Sequence, residues 1–341
     1  MPIEREKIGS SFLIVPNTEH FFGDVRNNEN YLEVMATLTF KDIAEVRLIR
    51  IGAISVSFSD SGPLRSIDKL KLTGSETSVP EEVMQNGDDT RELQSRRVTF
   101  ANFIAASLFG RICALRHSAL SGAQYAGMDK ILASGFRAGR FLLEDSPYTK
   151  SFLEPKIRLV REKPKNIQIV TPEQIGEACK FVAHLAVRET ELESVNLQAC
   201  MVMNYQAAIL HSEQHSAASL ALNFAVAESL VKEIFLAYGL VGSRAPKHFA
   251  TRPHSVPNVS EGRFSKTVLA DRLGALHDGK LLDWFLHSRL DQARVLRNAL
   301  MHSAAAVTVR ESGEMQTTVR DLWAYFLDVP FELNAAWGMR I

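Results

Sequence analysis

The chain has 341 residues, of which 46% are hydrophobic and 23% are charged. These values are typical of a globular protein and exclude a disordered or fibrous chain, and the length predicts two domains. Lysine plus arginine and aspartate plus glutamate number 39 each, so the formal net charge is zero. A uniformly basic nucleic-acid-binding coat is therefore excluded, whereas a local basic patch is not.

The sequence indicates a cytoplasmic protein without a membrane segment. No apolar run reaches the roughly 18–20 residues that span a bilayer, and no apolar stretch follows the charged residues 1–7, so we expect no secretory signal. The three cysteines, Cys113, Cys179 and Cys200, are widely spaced and form no CxxC or CxxH pair. This spacing argues against a structural zinc site and indicates buried thiols in a reducing compartment.

The first part of the chain, residues 1–168, predicts a β-rich α+β domain. Residues 31–40 and 44–58 are rich in β-branched and aromatic residues, which predicts strands, and residues 98–117 are apolar enough for a helix. The polar, acidic residues 74–92 are expected to form a mobile loop. Residues 150–165 hold six lysines and arginines. We interpret this basic segment as a solvated strand and linker, with a nucleic-acid contact as the alternative.

The second part, residues 169–341, predicts an all-α helical bundle. Thr171 is a good N-cap, and Pro172 fits the first position of a helix. Apolar residues then recur at helical spacing along most of this part. The predicted helices cover residues 174–188, 191–212, 214–239, 265–276, 281–305 and 317–334.

Two histidines stand at the spacing of metal ligands on a helix. His211 and His215 are four residues apart and would share a helix face. The zinc-protease pattern needs glutamate directly after the first histidine, where this chain has Ser212, and no third ligand is evident. We therefore favour an exposed helix junction and expect no metal. Phosphate-binding glycine motifs and nucleophile signatures are also absent from the sequence, so we expect no cofactor.

Residues 291–303 combine an apolar helix with side chains suited to catalysis. The apolar residues predict a buried or interface helix that carries Arg294, Arg297, Asn298 and His302. Charges in such a helix are costly unless they are paired or line a cleft. Asn298 and His302 lie on one face, whereas Arg297 and His302 lie about 140° apart around an ideal helix. The pattern alone leaves catalysis and a structural role both open.

Within this segment, Arg297-Asn298-Ala-Leu-Met-His302 resembles the RNxxxH motif of HEPN domains. The preceding helices are similar to those of the Apea-like branch of that family, at Asn204-Tyr205, Glu228 and Arg272. The resemblance covers residues 171–341 and implies a helical bundle that is often dimeric. Active members of the family cleave RNA without a metal, in a cleft where arginine and histidine from both protomers meet.

The resemblance also implies a role for each polar residue. His302 would act as general acid or base on the RNA, Arg297 would stabilise the charge on the phosphate, and Asn298 would orient His302. Glu228 would hold Arg297 or Arg294, or would be a surface carboxylate of the helix. Each protomer supplies one histidine, whereas the reaction needs two proton transfers, so we expect a homodimer through the C-terminal domain.

These expectations favour a metal-independent endoribonuclease that acts in antiviral defence or in toxin-like growth arrest. The N-terminal domain would respond to a regulatory ligand or a phage component. The alternative is a non-catalytic module for nucleotide binding or dimerisation. HEPN toxins with nucleotidyltransferase antitoxins carry tyrosine where this chain has Ala304, so we do not expect that partnership.

Residues 240–264 form the longest predicted loop of the C-terminal domain. The loop holds four lysines and arginines and two histidines against one acidic residue. We expect Arg244, Lys247 and Arg252 to contact RNA phosphates, which would carry little sequence information. The alternative is a surface loop whose charge only aids solubility.

Overall fold

The protein combines strands in its N-terminal part with helices in its C-terminal part, which confirms the predicted α+β class. The computed structural model describes residues 11–14, 20–26, 30–59, 87–116, 120–121, 147–163, 167–191, 196–239, 268–279, 281–331, 333 and 335–336. The strands are β1 (Ser11–Ile14), β2 (His20–Phe22), β3 (Val34–Phe40), β4 (Ala44–Ile49), β5 (Ala53–Phe58), β6 (Leu120–Ser121), β7 (Gln168–Val170) and β8 (Ala335–Ala336). The helices are α1 (Gly87–Arg116), α2 (Pro147–Glu162), α3 (Pro172–Glu191), α4 (Leu197–Ser212), α5 (Ser216–Gly239), α6 (Leu269–Asp278), α7 (Trp284–Ser303) and α8 (Val309–Leu327).

The chain divides into two compact units. The N-terminal unit comprises residues 1–108 and 121–183, and the helical unit comprises residues 109–120 and 184–341. The division thus falls within helices α1 and α3, rather than at the expected boundary between residues 168 and 169. A continuous helix gives no composition signal at such a division, so the sequence could not place it there.

A four-stranded antiparallel sheet forms the centre of the N-terminal unit. Its strand order is β1-β5-β4-β3, and the inner strands β4 and β5 bury most of their side chains. The strands predicted in residues 31–40 and 44–58 are confirmed, the second segment being a hairpin of two strands. Gly52 turns the chain within this hairpin with a φ of 82°. A Cβ at Gly52 would collide with the carbonyl oxygen of His20, so the turn requires glycine.

Helix α1 confirms the helix predicted for residues 98–117. In the N-terminal unit its Phe100 ring packs edge-on against Phe40 and Phe58, with centroids 5.4 and 6.0 Å away. The segment Ser95–Arg116 is long and apolar enough to cross a membrane, so the expectation that no such run exists is wrong. However, 83% of its most apolar window is buried inside the protein, which is typical of a core helix.

Two predicted surface segments have a different structure. Helix α1 begins at Gly87, so the last residues of the expected loop 74–92 are helical, and the others lie outside the described residues. Residues 150–162 of the basic segment, predicted as a solvated strand and linker, lie instead in helix α2, with Pro147 at its first position, where proline is tolerated. One side of α2 packs into a small core through Ile157 and Val160.

The basic helix α2 also buries one of its charges. The Nζ of Lys156 donates hydrogen bonds to the carbonyl oxygens of His20, at 3.2 Å, and Ile51, at 2.7 Å. It also lies 5.0 Å from the centre of the Phe21 ring. Desolvation by burial lowers the pKa of Lys156 from 10.5 to about 7. Its hydrogen-bond partners in the described part of the chain are these neutral groups, so the buried ammonium is not compensated by a carboxylate.

We expect Lys156 to make the stability of the N-terminal unit depend on pH. Between pH 7 and 10.5 the unfolded chain binds a proton that the folded chain lacks, so the free energy of unfolding rises with pH in this window. The slope from this one group is at most about 1.4 kcal/mol per pH unit. Below pH 7 Lys156 is protonated in both the folded and the unfolded chain, so the free-energy cost of burying its charge no longer changes with pH.

Hydrogen exchange of the peptides that contain β2 and β7, measured at pH 7, 8 and 9, tests this expectation. In the Lys156→Met chain, the free energy of unfolding obtained from this exchange should no longer rise with pH. In Lys163→Met, which changes an exposed lysine, the rise should remain. Equal slopes in the wild-type chain and in Lys156→Met would contradict the assignment.

Helix α5 is the centre of the helical unit. It contacts α4, α6, α7 and α8, and its buried apolar side chains, among them Leu220, Phe224 and Val231, cover about half of its circumference. Asn204 of α4 donates a hydrogen bond to Asn223 of α5 at 2.8 Å, and Tyr205 is also buried. The Asn204-Tyr205 pair of the family resemblance thus lies in the core between two helices.

The last helix begins earlier than its apolar pattern indicates. We predicted residues 317–334, but α8 covers Val309–Leu327. Thr308 and Glu311 form a capping box, in which each side chain accepts from the other residue's backbone N–H. The first turns carry mostly polar residues, so periodicity missed them, whereas the capping pair Thr308-x-x-Glu311 could have located the start. The helix ends at Leu327, before Pro330, and its C-cap Asp328 has a φ of 57°.

Candidate functional site

The polar residues of the family motif lie on the C-terminal half of α7. Asp283 caps the start of this helix and accepts a hydrogen bond from the backbone N–H of Leu286 at 2.7 Å. The buried residues of α7 are Leu286, Leu290 and Ala293, all in its first half. The first half therefore packs α7 into the core, while the second half remains partly open to solvent. The helix ends at Ser303, and Ala304 follows with a φ of 49°.

Arg297 is a half-buried cation held by neutral groups. Its Nη1 donates to the Oδ1 of Asn298 at 3.1 Å. Its guanidinium lies 5.5 Å from the centre of the Phe224 ring on α5, which is a cation–π distance. Within the residues that the structure describes, Arg297 forms no ion pair with a carboxylate. The sequence did not indicate Phe224, because nothing in the pattern of α5 shows which of its side chains meets α7.

Neighbouring arginines are neutralised in a way that Arg297 is not. Arg294 pairs with Asp291 at 2.8 Å, and Arg289 pairs with Asp321 at 2.6 Å. Glu228, which was expected to hold Arg297 or Arg294, is half-buried and has no ion pair with either in the described parts of the chain. The positive charge of Arg297 therefore remains available to an anion, whereas that of Arg294 is largely compensated.

His302 lies in the last turn of α7 and is exposed. Its ring has no hydrogen-bond partner among the described residues. Asn298 hydrogen-bonds to Arg297 and not to His302, so in a single protomer it positions the arginine rather than the histidine. Asn298 and His302 still share a face, and the helix brings all three motif residues to one end of α7.

Exposed apolar side chains lie on or beside the face of α7 that carries His302. Val295 is 55% exposed, Met301 60% and Trp284 68%. Six residues at alternate spacings of four and three share this face, which we call the seam of α7, and two of them are apolar. The seam residues are Trp284, Ser288, Asp291, Val295, Asn298 and His302.

The two-histidine pattern does not form a shared helix face. Helix α4 ends at Ser212, and His215 lies beyond a turn at Gln214, whose φ is 66°. The Nδ1 of His211 lies 3.0 Å from the hydroxyl of Ser312, while His215 is exposed. Burial lowers the pKa of His211 below its usual range. Among the described residues, no group of three histidine, cysteine or acidic side chains could hold a metal ion.

The remaining candidates carry less information. The basic loop with Arg244, Lys247 and Arg252 lies outside the described residues.

Cys113 and Cys200 are buried, as expected, and Cys179 is half-buried. Desolvation raises the pKa of Cys179 to about 11, so this thiol stays protonated near neutral pH and is a poor nucleophile.

Comparison of the chain with protein-family models, with curated proteins and with solved structures gave no match. The resemblance to HEPN domains therefore rests on the residues themselves.

Proposed function

We propose that the protein is a metal-independent endoribonuclease of HEPN type, with Arg297 and His302 in its active site. The observation that carries this proposal is the state of Arg297. Among the described residues its guanidinium has no carboxylate partner, and Phe224 and Asn298 hold it on the same helix as the exposed His302. Fixed cations of this kind suit the binding of a phosphate, because the arginine fork can donate two hydrogen bonds to phosphate oxygens.

Each motif residue has a defined task in the proposed reaction. A base removes the proton of the ribose 2′-hydroxyl, and the 2′-oxygen attacks the adjacent phosphorus. The bond from phosphorus to the 5′-oxygen then breaks, and an acid protonates that oxygen. His302 serves as the acid or the base, and Arg297 stabilises the negative charge that grows on the phosphate oxygens. The products are a 2′,3′-cyclic phosphate and a 5′-hydroxyl.

A second protomer would complete the site. One chain supplies one motif histidine, but the reaction has two proton transfers. The exposed apolar residues Trp284, Val295 and Met301 flank or share the face that carries His302. Pairing of two such faces about a two-fold axis would remove these side chains from water and bring two His302 rings towards one cleft. We therefore propose a homodimer through the seam of α7.

A charge in the centre of this seam should dissociate the dimer. We expect Val295→Asp to weaken self-association at least about tenfold, because an unpaired carboxylate would be buried on each side of the interface. Sedimentation equilibrium at micromolar concentrations measures this effect. The matched control is Val309→Asp, which places the same charge on an exposed valine outside the seam. If the wild-type chain is a monomer and still cleaves RNA at full rate, the dimeric site is wrong.

The experiment for the proposed function is incubation of the purified full chain with RNA in the presence of EDTA. Cleavage that survives EDTA and is lost in His302→Ala supports the proposal. Binding of RNA or nucleotide without cleavage by the folded dimer would favour the alternative, a non-catalytic module. The N-terminal unit would then regulate binding rather than cleavage.

A further inference from the structure

A concave site lies in the helical unit, on a face of α7 other than the one that carries His302. A cavity of about 710 Å³ opens between α7, the first half of α8 and the start of α5. This volume falls within the roughly 300–1,000 Å³ that is usual for small-molecule sites. Leu296, which lines the cavity, lies about 160° around the helix from Asn298. The cavity is therefore separate from the proposed ribonuclease site, and the inference does not depend on that function.

The cavity has an apolar wall and one aromatic side chain. Leu220 of α5, Ala293 of α7 and Met315 of α8 are buried residues that line it. Phe285 also lines it and is 61% exposed, although the Arg289 guanidinium lies only 4.4 Å from its ring centre. Exposure of so large an aromatic ring beside an apolar wall is costly in water. A planar aromatic ring that stacks on Phe285 and covers the wall would remove this cost.

The charges around the cavity indicate that the ligand is neutral. Arg289 pairs with Asp321 at 2.6 Å. Arg310, also in the lining, pairs with Glu314 at 2.9 Å. The remaining charged lining residue, Glu311, accepts hydrogen bonds from the backbone N–H and hydroxyl of Thr308. The two arginines and two glutamates of the lining cancel in formal charge, so an ionic ligand would lose its hydration without a net charge to attract it.

We propose that this cavity between α5, α7 and α8 binds an uncharged, planar aromatic small molecule, whose ring stacks on Phe285. Donors for a carbonyl oxygen or ring nitrogen of the ligand are present in the Gln292 amide and the Arg289 guanidinium, both of which line the cavity. Such a ligand would contact α7 and α8 together.

Three indole probes of similar size test the proposal because they differ in charge. Indole-3-acetamide is neutral, indole-3-acetate is an anion, and tryptamine is a cation. Saturation-transfer NMR titrations of the full wild-type chain should show the tightest binding for the acetamide. No saturation transfer at millimolar acetamide, or tighter binding of either ion, would overturn the proposal.

Two adjacent aromatic residues supply a matched pair of variants. Phe285 and Trp284 are similarly exposed, but only Phe285 lines the cavity. We expect Phe285→Ala to weaken binding of the acetamide roughly fivefold or more, since the stacked pair is lost. Trp284→Ala should change the affinity less than about twofold. An equal loss in both variants would show that the probe binds the exposed apolar surface and not the cavity, which would also overturn the proposal.

Discussion

Replacement of His302 by alanine is expected to lower the rate of RNA cleavage by about 10²–10⁴-fold, the usual contribution of a general acid or base. The fold should not change, because the His302 side chain is exposed and makes no hydrogen bond among the described residues. Initial rates with a fluorescent RNA substrate measure the loss of activity. The unfolding midpoint, followed by tryptophan fluorescence, reports whether the helical unit remains intact, because all three tryptophans belong to that unit.

The matched control for this variant is His215→Ala. His215 is also exposed and lies in the helical unit, in the turn between α4 and α5, but it is not part of the motif. We expect its activity to stay within about twofold of the wild-type rate, as for a surface residue without a role in the reaction. Equal activity of folded His302→Ala and wild-type protein would show that His302 does not transfer a proton in this reaction.

Replacement of Arg297 should have the second largest effect. We expect Arg297→Ala to lower the cleavage rate by about 10²–10³-fold, as for other losses of a fixed donor to a developing charge. Arg297→Lys should rescue little of this loss, because lysine keeps the charge but lacks the planar fork that can donate two parallel hydrogen bonds. The rate should fall mainly in kcat, since the interaction strengthens as charge grows on the phosphate.

Arg294→Lys is the matched control on the same helix. Arg294 is three residues from Arg297 but pairs with Asp291, so its charge is not free for the substrate. We expect near-wild-type kcat for this variant. If Arg294→Lys and Arg297→Lys reduce kcat equally, the charge of the whole helix end matters, and the specific role of Arg297 is wrong.

Much of the fold could be predicted from the residues alone. The hairpin formed by β4 and β5 follows its β-branched pattern, and α5 buries the face on which its apolar residues recur at helical spacing. The errors occurred where local composition conflicts with packing. The basic residues of α2 indicated a solvated linker, yet Lys156 is buried against carbonyl oxygens that are distant in sequence.

In the candidate site, too, contacts between residues distant in the sequence could not be predicted. The sequence indicates which residues of α7 are chemically unusual, because a histidine and an arginine interrupt an apolar helix. It cannot show that Arg297 packs on Phe224, or that Asn298 bonds to Arg297 instead of His302. These contacts depend on the crossing of α5 and α7 and on side-chain rotamers, which spacing along one helix does not specify.

The chemistry of the RNA ends tests the central claim most directly. The full-length protein is incubated with a defined RNA in EDTA, and the new ends of the products are identified by mass spectrometry. The proposed attack by the 2′-hydroxyl predicts 2′,3′-cyclic phosphate and 5′-hydroxyl ends, which should be absent with His302→Ala. Products with 3′-hydroxyl and 5′-phosphate ends, or no cleavage by the folded wild-type dimer, would contradict the proposed ribonuclease.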